Sequence, residues 1–189
     1  MTQPTGLAIT LPAWFDDWQA RQPERYPTSE DRMRAAIELA RTNVEQGTGG
    51  PFGALVTDEN GGLVAAGVNR VEPDTCSSAH GEIVALSLAQ AKLKTWNLAE
   101  HGALELATSC EPCAMCLGAI PWSGVKRVLC GATKHDAEIT GFDEGERMDD
   151  WIGMLNRRGI EVVTGLLQRE GAAVLHDYAK RGSRIYNAG

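Results

Sequence analysis

The chain has 189 residues, 43% of them hydrophobic and 23% charged, proportions that suit a soluble globular protein with its own core. That length fits one domain, or one domain with a terminal extension. A formal net charge of −7 opposes polyanionic partners, because affinity for a phosphate backbone comes mainly from Lys and Arg, so nucleic acid is not the expected substrate. No apolar run approaches the roughly 18 residues of a membrane span, and residues 1–6 lack the basic-then-apolar pattern of a signal peptide. The expectation is a cytoplasmic protein with no membrane partner.

Residues 1–28 read as an irregular N-terminal extension containing Pro4, Pro12, Pro23 and Pro27, with one short helical turn at Trp14-Phe15-Asp16-Asp17-Trp18. Its aromatics are expected to pack on the main body or on a second subunit. The domain proper spans 29–180. Thr28 or Ser29 can cap a helix whose first turn carries Glu30 and Asp31, and Met33, Ile37, Ala40 and Val44 give it one apolar face before Gly47 ends it. Ala54-Leu55-Val56-Thr57 reads as a strand, Asp58 to Gly62 as a turn and 63–68 as a second strand.

A loop over 70–78 leads to a helix over 79–93, a strand over 103–108 and a short helix from Cys113 that should end near Pro121. A fourth strand at 126–131 precedes an irregular stretch, 135–148. A helix at 149–158, a fifth strand at 160–164 and a last helix at 168–180 complete the order, and 181–189 form a tail. Helices and strands interleave, so the class is α/β with a sheet covered by helices.

Two segments carry the chemistry: His80-Gly81-Glu82 and Pro112-Cys113-Ala114-Met115-Cys116. Each falls at the start of a predicted helix. Pairing those helices side by side would unite one imidazole and two thiols. Cys-x-x-Cys at a helix start sets two sulfurs a turn apart, where the positive end of the dipole favours the thiolates a metal requires. One nitrogen and two sulfurs leave a fourth position open, as in a catalytic zinc site. Zinc lowers the pKa of a water that it binds, and Glu82, two residues beyond His80, is placed to take the proton as general base.

The pattern His80-x-Glu82 followed by Pro112-Cys113-x-x-Cys116 resembles the zinc deaminases of the cytidine deaminase superfamily. Pro51-Phe52-Gly53-Ala54, Asn69 and Glu111-Pro112-Cys113-Ala114-Met115-Cys116 look like its purine-type branch, which holds guanine deaminases and tRNA adenosine deaminases. Gly81 departs from the Ala common at that position. The resemblance implies a three-layer α-β-α fold around a five-stranded mixed sheet, and one Zn²⁺ per subunit held by His80, Cys113 and Cys116. It also implies a homodimer acting on a nucleobase-like small molecule.

Gly141-Phe142-Asp143-Glu144-Gly145 is similar to the guanine deaminases in particular. This implies that Glu144 contacts the base, with Asp143 or Glu146 as substitutes, and that the C-terminal segment closes over the site of its own or the partner subunit. A carboxylate can accept from both N1–H and the 2-amino group of guanine. Phe52, Ala54, Asn69, Phe142, Asp143 and Tyr186 are expected to form the substrate pocket, and Glu82 and Glu144 to be catalytic.

Competing readings are deamination of another amino-heterocycle (aminotriazine, aminopterin, guanosine, cytosine), a tRNA adenosine deaminase, and a zinc-stabilised binding module without activity. The last would need a fourth protein ligand, for which Cys110 is the candidate. Otherwise Cys110 is a small loop or core residue, and Cys76 and Cys130 are expected to be buried hydrophobes. His101, His135 and His176 carry no pattern. Trp96 and Trp122 are expected to pack, and Lys180, Arg181 and Arg184 to form a solvated basic group.

Overall fold

The computed structural model describes residues 4–187. Helix α1 (Trp14–Ala20) realises the predicted aromatic turn, and its Phe15 and Trp18 are buried in the principal core cluster. Helix α2 (Ser29–Glu45) is capped by Thr28, whose Oγ1 accepts from Asp31 N at 3.1 Å while Asp31 Oδ2 accepts from Thr28 N at 3.1 Å. This reciprocal box satisfies two otherwise orphaned donors. Strands β1 (Gly53–Thr57) and β2 (Leu63–Val68) follow, joined by a turn in which Asp58 Oδ1 accepts from the amides of Asn60 and Gly62.

Helix α3 (Gly81–Leu93) leads through a 3-10 turn (Leu98–His101) to β3 (Glu105–Cys110), α4 (Ala114–Ser123) and β4 (Arg127–Ala132). Helices α5 (Lys134–Glu138) and α6 (Trp151–Arg157), strand β5 (Glu161–Val163) and helix α7 (Gln168–Lys180) complete the chain. The sheet order is β2-β1-β3-β4-β5, with β1 antiparallel to both neighbours and β3, β4 and β5 parallel. This is the expected five-stranded mixed sheet.

Successive strand residues point to opposite faces. Leu55, Ala107 and Leu129 join one cluster with α2 and α7, whereas Ala54, Val56, Leu106, Val128 and Cys130 join another with α3, α4 and α6. Both faces are therefore covered, which is why the central strands read as unbroken apolar runs. Gly67 on β2 meets α3 at very close range, since a Cβ there would lie 2.5 Å from Ala85 N and 2.6 Å from Gly81 O.

Registry decides where the chemistry gathers. Cys110 at the end of β3 pairs with Ala132 at the end of β4. The antiparallel β1 starts at that same edge, with Ala54 opposite Thr108, and β2 ends there, with Val68 opposite Gly53. Phe52, Asn69, the 111–113 turn and Thr133 thus emerge together from one end of the sheet.

Several expected boundaries shift. Strand β3 starts at Glu105, not 103, because Leu104 N turns back to Gly102 O at 3.1 Å. Helix α4 runs through Pro121 to Ser123, where Ser123 Oγ donates to Ile120 O at 2.7 Å and satisfies one of the terminal carbonyls. Within the stretch expected to be irregular, α5 forms on a Thr133–Asp136 capping box. Trp96 and Trp122, expected to pack, are instead 74% and 78% exposed in the monomer. Cys130 is buried, whereas Cys76 is only half-buried, its Sγ 3.3 Å from Ser78 Oγ.

Gly67→Val should force α3 off the sheet and cost about 1–3 kcal/mol. Urea denaturation checks this: the midpoint should fall with the slope unchanged, and an unaltered midpoint contradicts the close packing.

Candidate active site

The site lies at the sheet end just described, between the first turns of α3 and α4. His80 and Cys113 hold equivalent places: each is the residue before its helix and each is extended, with ψ of 153° and 172°. Neither side chain caps its own helix, so both are free to face the gap between the helices. Cys116 follows Cys113 by one turn. His80 Nδ1 sits 3.5 Å from Cys113 Sγ and 3.6 Å from Cys116 Sγ.

These distances fit a metal. Zn–N and Zn–S bonds of about 2.05 and 2.3 Å at a tetrahedral angle place the two donor atoms about 3.6 Å apart. Among the described residues, His80, Cys113 and Cys116 are the group of at least three potential ligands whose donor atoms converge, all within 4.8 Å of one another. Cys110 turns away and lies 3.6 Å from Thr133 O, against the reading in which it closes a four-ligand structural site.

The electrostatics prepare the donor set. Hydrogen bonding from the Cys116 thiol, helped by His80, brings the Cys113 thiol down to about 4, against the opposing effect of burial. Cys116 is pushed up because it keeps the proton that the two sulfurs share, and burial adds to this. Burial disfavours charge on His80, but Cys113, Glu82 and Glu144 together raise its proton affinity.

Two carboxylates face this centre. Glu82 projects from the first turn of α3 and is buried; burial raises its pKa and the negative Cys113 raises it further. Glu144 comes from the α5–α6 loop, and burial, then the charges of Cys113 and Glu82, push it up to about 8. Its two rivals are both exposed. Asp143 uses Oδ1 to accept from Gly145 N at 2.8 Å, and Glu146 points to solvent. Glu144 is thus the acid of that loop that faces inward.

Above these groups is a cavity of about 320 Å³ lined by Phe52, His80, Glu82, Cys113, Phe142, Asp143, Glu144 and Tyr186. Phe142 is the centre of an aromatic cluster, with ring centroids 5.0 Å from Phe52, 5.3 Å from Tyr186 and 5.8 Å from Tyr178. Tyr186 reaches back from the tail, and its hydroxyl is buried with no hydrogen-bond partner. It occupies a slot open only because residue 50 is Gly, since a Cβ there would collide with the Tyr186 ring. Asn187 fastens the tail, with Nδ2 donating to Gly141 O at 2.9 Å and Oδ1 accepting from Asp143 N at 3.0 Å.

Asn69, just past the end of β2, is fully buried and, contrary to expectation, is not among the residues lining the cavity. Its Oδ1 accepts from the amides of Gly50 and Val71, both at 3.3 Å, and its Nδ2 has no partner. A buried unpaired donor is costly unless a ligand satisfies it. Ala54 does not line the cavity; its side chain packs beneath, in the cluster shared with α3. The sequence reading also passed over Val71 and Ser77 of the 70–78 loop, which line the mouth, and Arg147, which ties the Glu144 loop down. None of the three belongs to a spaced motif.

Comparison with known proteins agrees with this geometry. Residues 27–132 match the family described as the cytidine and deoxycytidylate deaminase zinc-binding region. Guanine deaminase from Bacillus subtilis is 40% identical over 115 residues, 61% of this chain and 71% of that protein. The structure of guanine deaminase from Nitrosomonas europaea superposes with a TM-score of 0.88 at 46% identity, covering 95% of this chain and 100% of that one. A structure solved with 2,6-diaminopurine gives 0.88 at 48% identity, covering 96% and 97%. The chain belongs to the cytidine and deoxycytidylate deaminase family. It is a zinc-dependent aminohydrolase, with His80, Cys113 and Cys116 as the group positioned to hold the metal.

Cys113→Ala should remove the readily ionised ligand and with it most of the metal, lowering thermal stability together with zinc content. Elemental analysis of purified protein should give one zinc per chain for the parent and near none for the variant. Full zinc in the variant would contradict the assignment.

Proposed function

We propose that this enzyme hydrolyses guanine to xanthine and ammonia. The observation that carries the reading is the inward-facing, buried Glu144, which lines the aromatic cavity together with Glu82. Guanine presents N1–H and its 2-amino group along one edge, and Glu144, ionised once a bound Zn²⁺ offsets the Cys113 charge that helps raise its pKa, accepts from both. Asn69 Nδ2 and the Tyr186 hydroxyl, each buried without a partner, suit acceptors on the ring. Phe52 and Phe142 offer apolar contact to a flat heterocycle. The 40–48% identity to guanine deaminases and to the diaminopurine complex supports the same substrate class.

Zn²⁺, when bound by His80, Cys113 and Cys116, supplies the Lewis acidity that activates water. The remaining work falls to the chain. Glu82 takes a proton from the water that adds to C2 and passes it to the ring nitrogen and then to the departing amine. Its burial raises its proton affinity and so matches it to this shuttle. Glu144 holds the 2-amino group and, with its own proton affinity raised, supports departure as ammonia. One water enters, and one ammonia and one xanthine leave.

Glu82→Gln keeps the shape of the site and removes the base. Zinc content should stay at the parent level while kcat falls by about 10²–10⁴-fold. Ammonia release over a panel of guanine, guanosine, cytosine, adenosine and an aminotriazine tests the substrate. Turnover of another member with none of guanine overturns the reading.

In the proposed arrangement, residues 29–180 form the catalytic domain, and the tail from 181, whose last two residues lie outside the described residues, is a lid that Tyr186 and Asn187 fasten over the site. The protein acts as a homodimer, for which the exposed Trp96, Trp122 and Met115 offer apolar surface. It works in the cytoplasm, in keeping with five unpaired cysteines. Truncation after Lys180 should cut turnover with little change in stability. Sedimentation should give about twice the 20.3 kDa chain mass for both forms. Unchanged kinetics removes the lid, and a 20.3 kDa species alone removes the dimer.

A further inference from the structure

The loop that carries Glu144 has no regular structure between α5 and α6, yet its carboxylate must be held to within a fraction of an ångström to act. Three contacts tie the loop to the metal-ligand side of the site. Ala114 N donates to Glu144 O at 3.0 Å, and Lys134 Nζ donates to Gly145 O at 2.8 Å. The third is Arg147, three residues past Glu144. Its Nη2 donates to Glu111 Oε2 at 2.8 Å and its Nη1 to Pro112 O at 3.2 Å, so the guanidinium grips the turn that ends in Cys113.

The grip is sheltered. Both side chains of the pair are about nine-tenths buried, at 10% and 11% exposure, and the guanidinium lies 4.6 Å from the centroid of the Trp151 ring at the start of α6. A charge-assisted pair shielded from water in this way is stiffer than a surface bridge. Glu111 Oε2 also accepts from Lys134 N at 3.1 Å, so one carboxylate joins the ligand turn, the start of α5 and the far end of the acid-bearing loop.

We propose that Arg147, clamped on Glu111 and Pro112, is a positioning residue that fixes Glu144 over the metal-binding group. The inference rests on the reading of Glu144 given above. Arg147 touches neither the cavity contents nor the ligand atoms. It sets the distance between the ligand turn and the Glu144 carboxylate, and its loss lets the loop drift from Ala114.

A double-variant cycle tests it, using zinc-loaded full-length protein, guanine as substrate, and zinc content measured in parallel. Arg147→Met should keep parent zinc content and lower kcat on the order of 10²-fold, with KM changed far less. Arg147→Lys, able to make one of the two bonds, should recover part of the loss. In a Glu144→Gln background, Arg147→Met should slow turnover by no more than about threefold further, because both changes remove the same function.

Full additivity of the two losses, or a wild-type kcat in Arg147→Met, overturns the proposal while leaving Glu144 in its role. Loss of zinc in both Arg147→Met and Arg147→Lys would show that the clamp builds the metal site itself, and also overturns it. A wild-type kcat in Glu144→Gln alone refutes the reading of Glu144 and, with it, the partner on which the clamp acts.

Discussion

Everything in this molecule follows from two helix starts held side by side at one end of a sheet. His80 and Cys113 each occupy the extended position just before a helix, and the registry of β1, β2 and β3 brings those positions together. An imidazole nitrogen 3.5 and 3.6 Å from two sulfurs gives two edges of a tetrahedral donor set already formed. With no cation between them these groups repel or must share protons, so the arrangement is one a divalent metal stabilises. Gly67 matters for the same reason, because it lets α3 lie on β2 closely enough for His80 to reach α4.

Around that centre the fold buries more acid than a structural zinc site requires. Glu82 and Glu144 are each 6% exposed, and each has its proton affinity raised by burial and by the other charges. Two sheltered carboxylates facing a metal site are expensive to keep, and the buried, unpaired Tyr186 hydroxyl in the cavity wall and Asn69 Nδ2 elsewhere add to the cost. In the proposed function, a polar, planar substrate that carries both donors and acceptors would offset these penalties. Stability given up in the empty site thus becomes selectivity when the site is filled.

Much of this was legible in the sequence because it rests on local spacing. The His80, Glu82, Cys113 and Cys116 pattern needs only two helix starts, and the expected starts at 79 and 113 lie within two residues of those observed. The Thr133–Asp136 box that starts α5 had the same kind of signal, a Thr and an Asp three apart, but it sat in a stretch without apolar periodicity. Choosing Glu144 over Asp143 and Glu146 rested on resemblance, since adjacent acids in a loop differ only once backbone turns aim them. Ala54 was misplaced for a related reason. Ala54 lies inside β1 and its methyl packs into the core shared with α3, whereas Phe52 precedes the strand and reaches the cavity. The exposure of Trp96 and Trp122 and the Arg147–Glu111 clamp depend on contacts between distant segments, which no local pattern encodes.

The central claim is a three-ligand metal site with one position left for water. X-ray absorption at the zinc edge, on the metal-loaded protein without substrate, tests it most directly. The account predicts two sulfurs at about 2.3 Å with one nitrogen and one further light atom at about 2.0–2.1 Å. A third sulfur in the coordination shell would mean that Cys110 or another thiol closes the site, and would contradict the account.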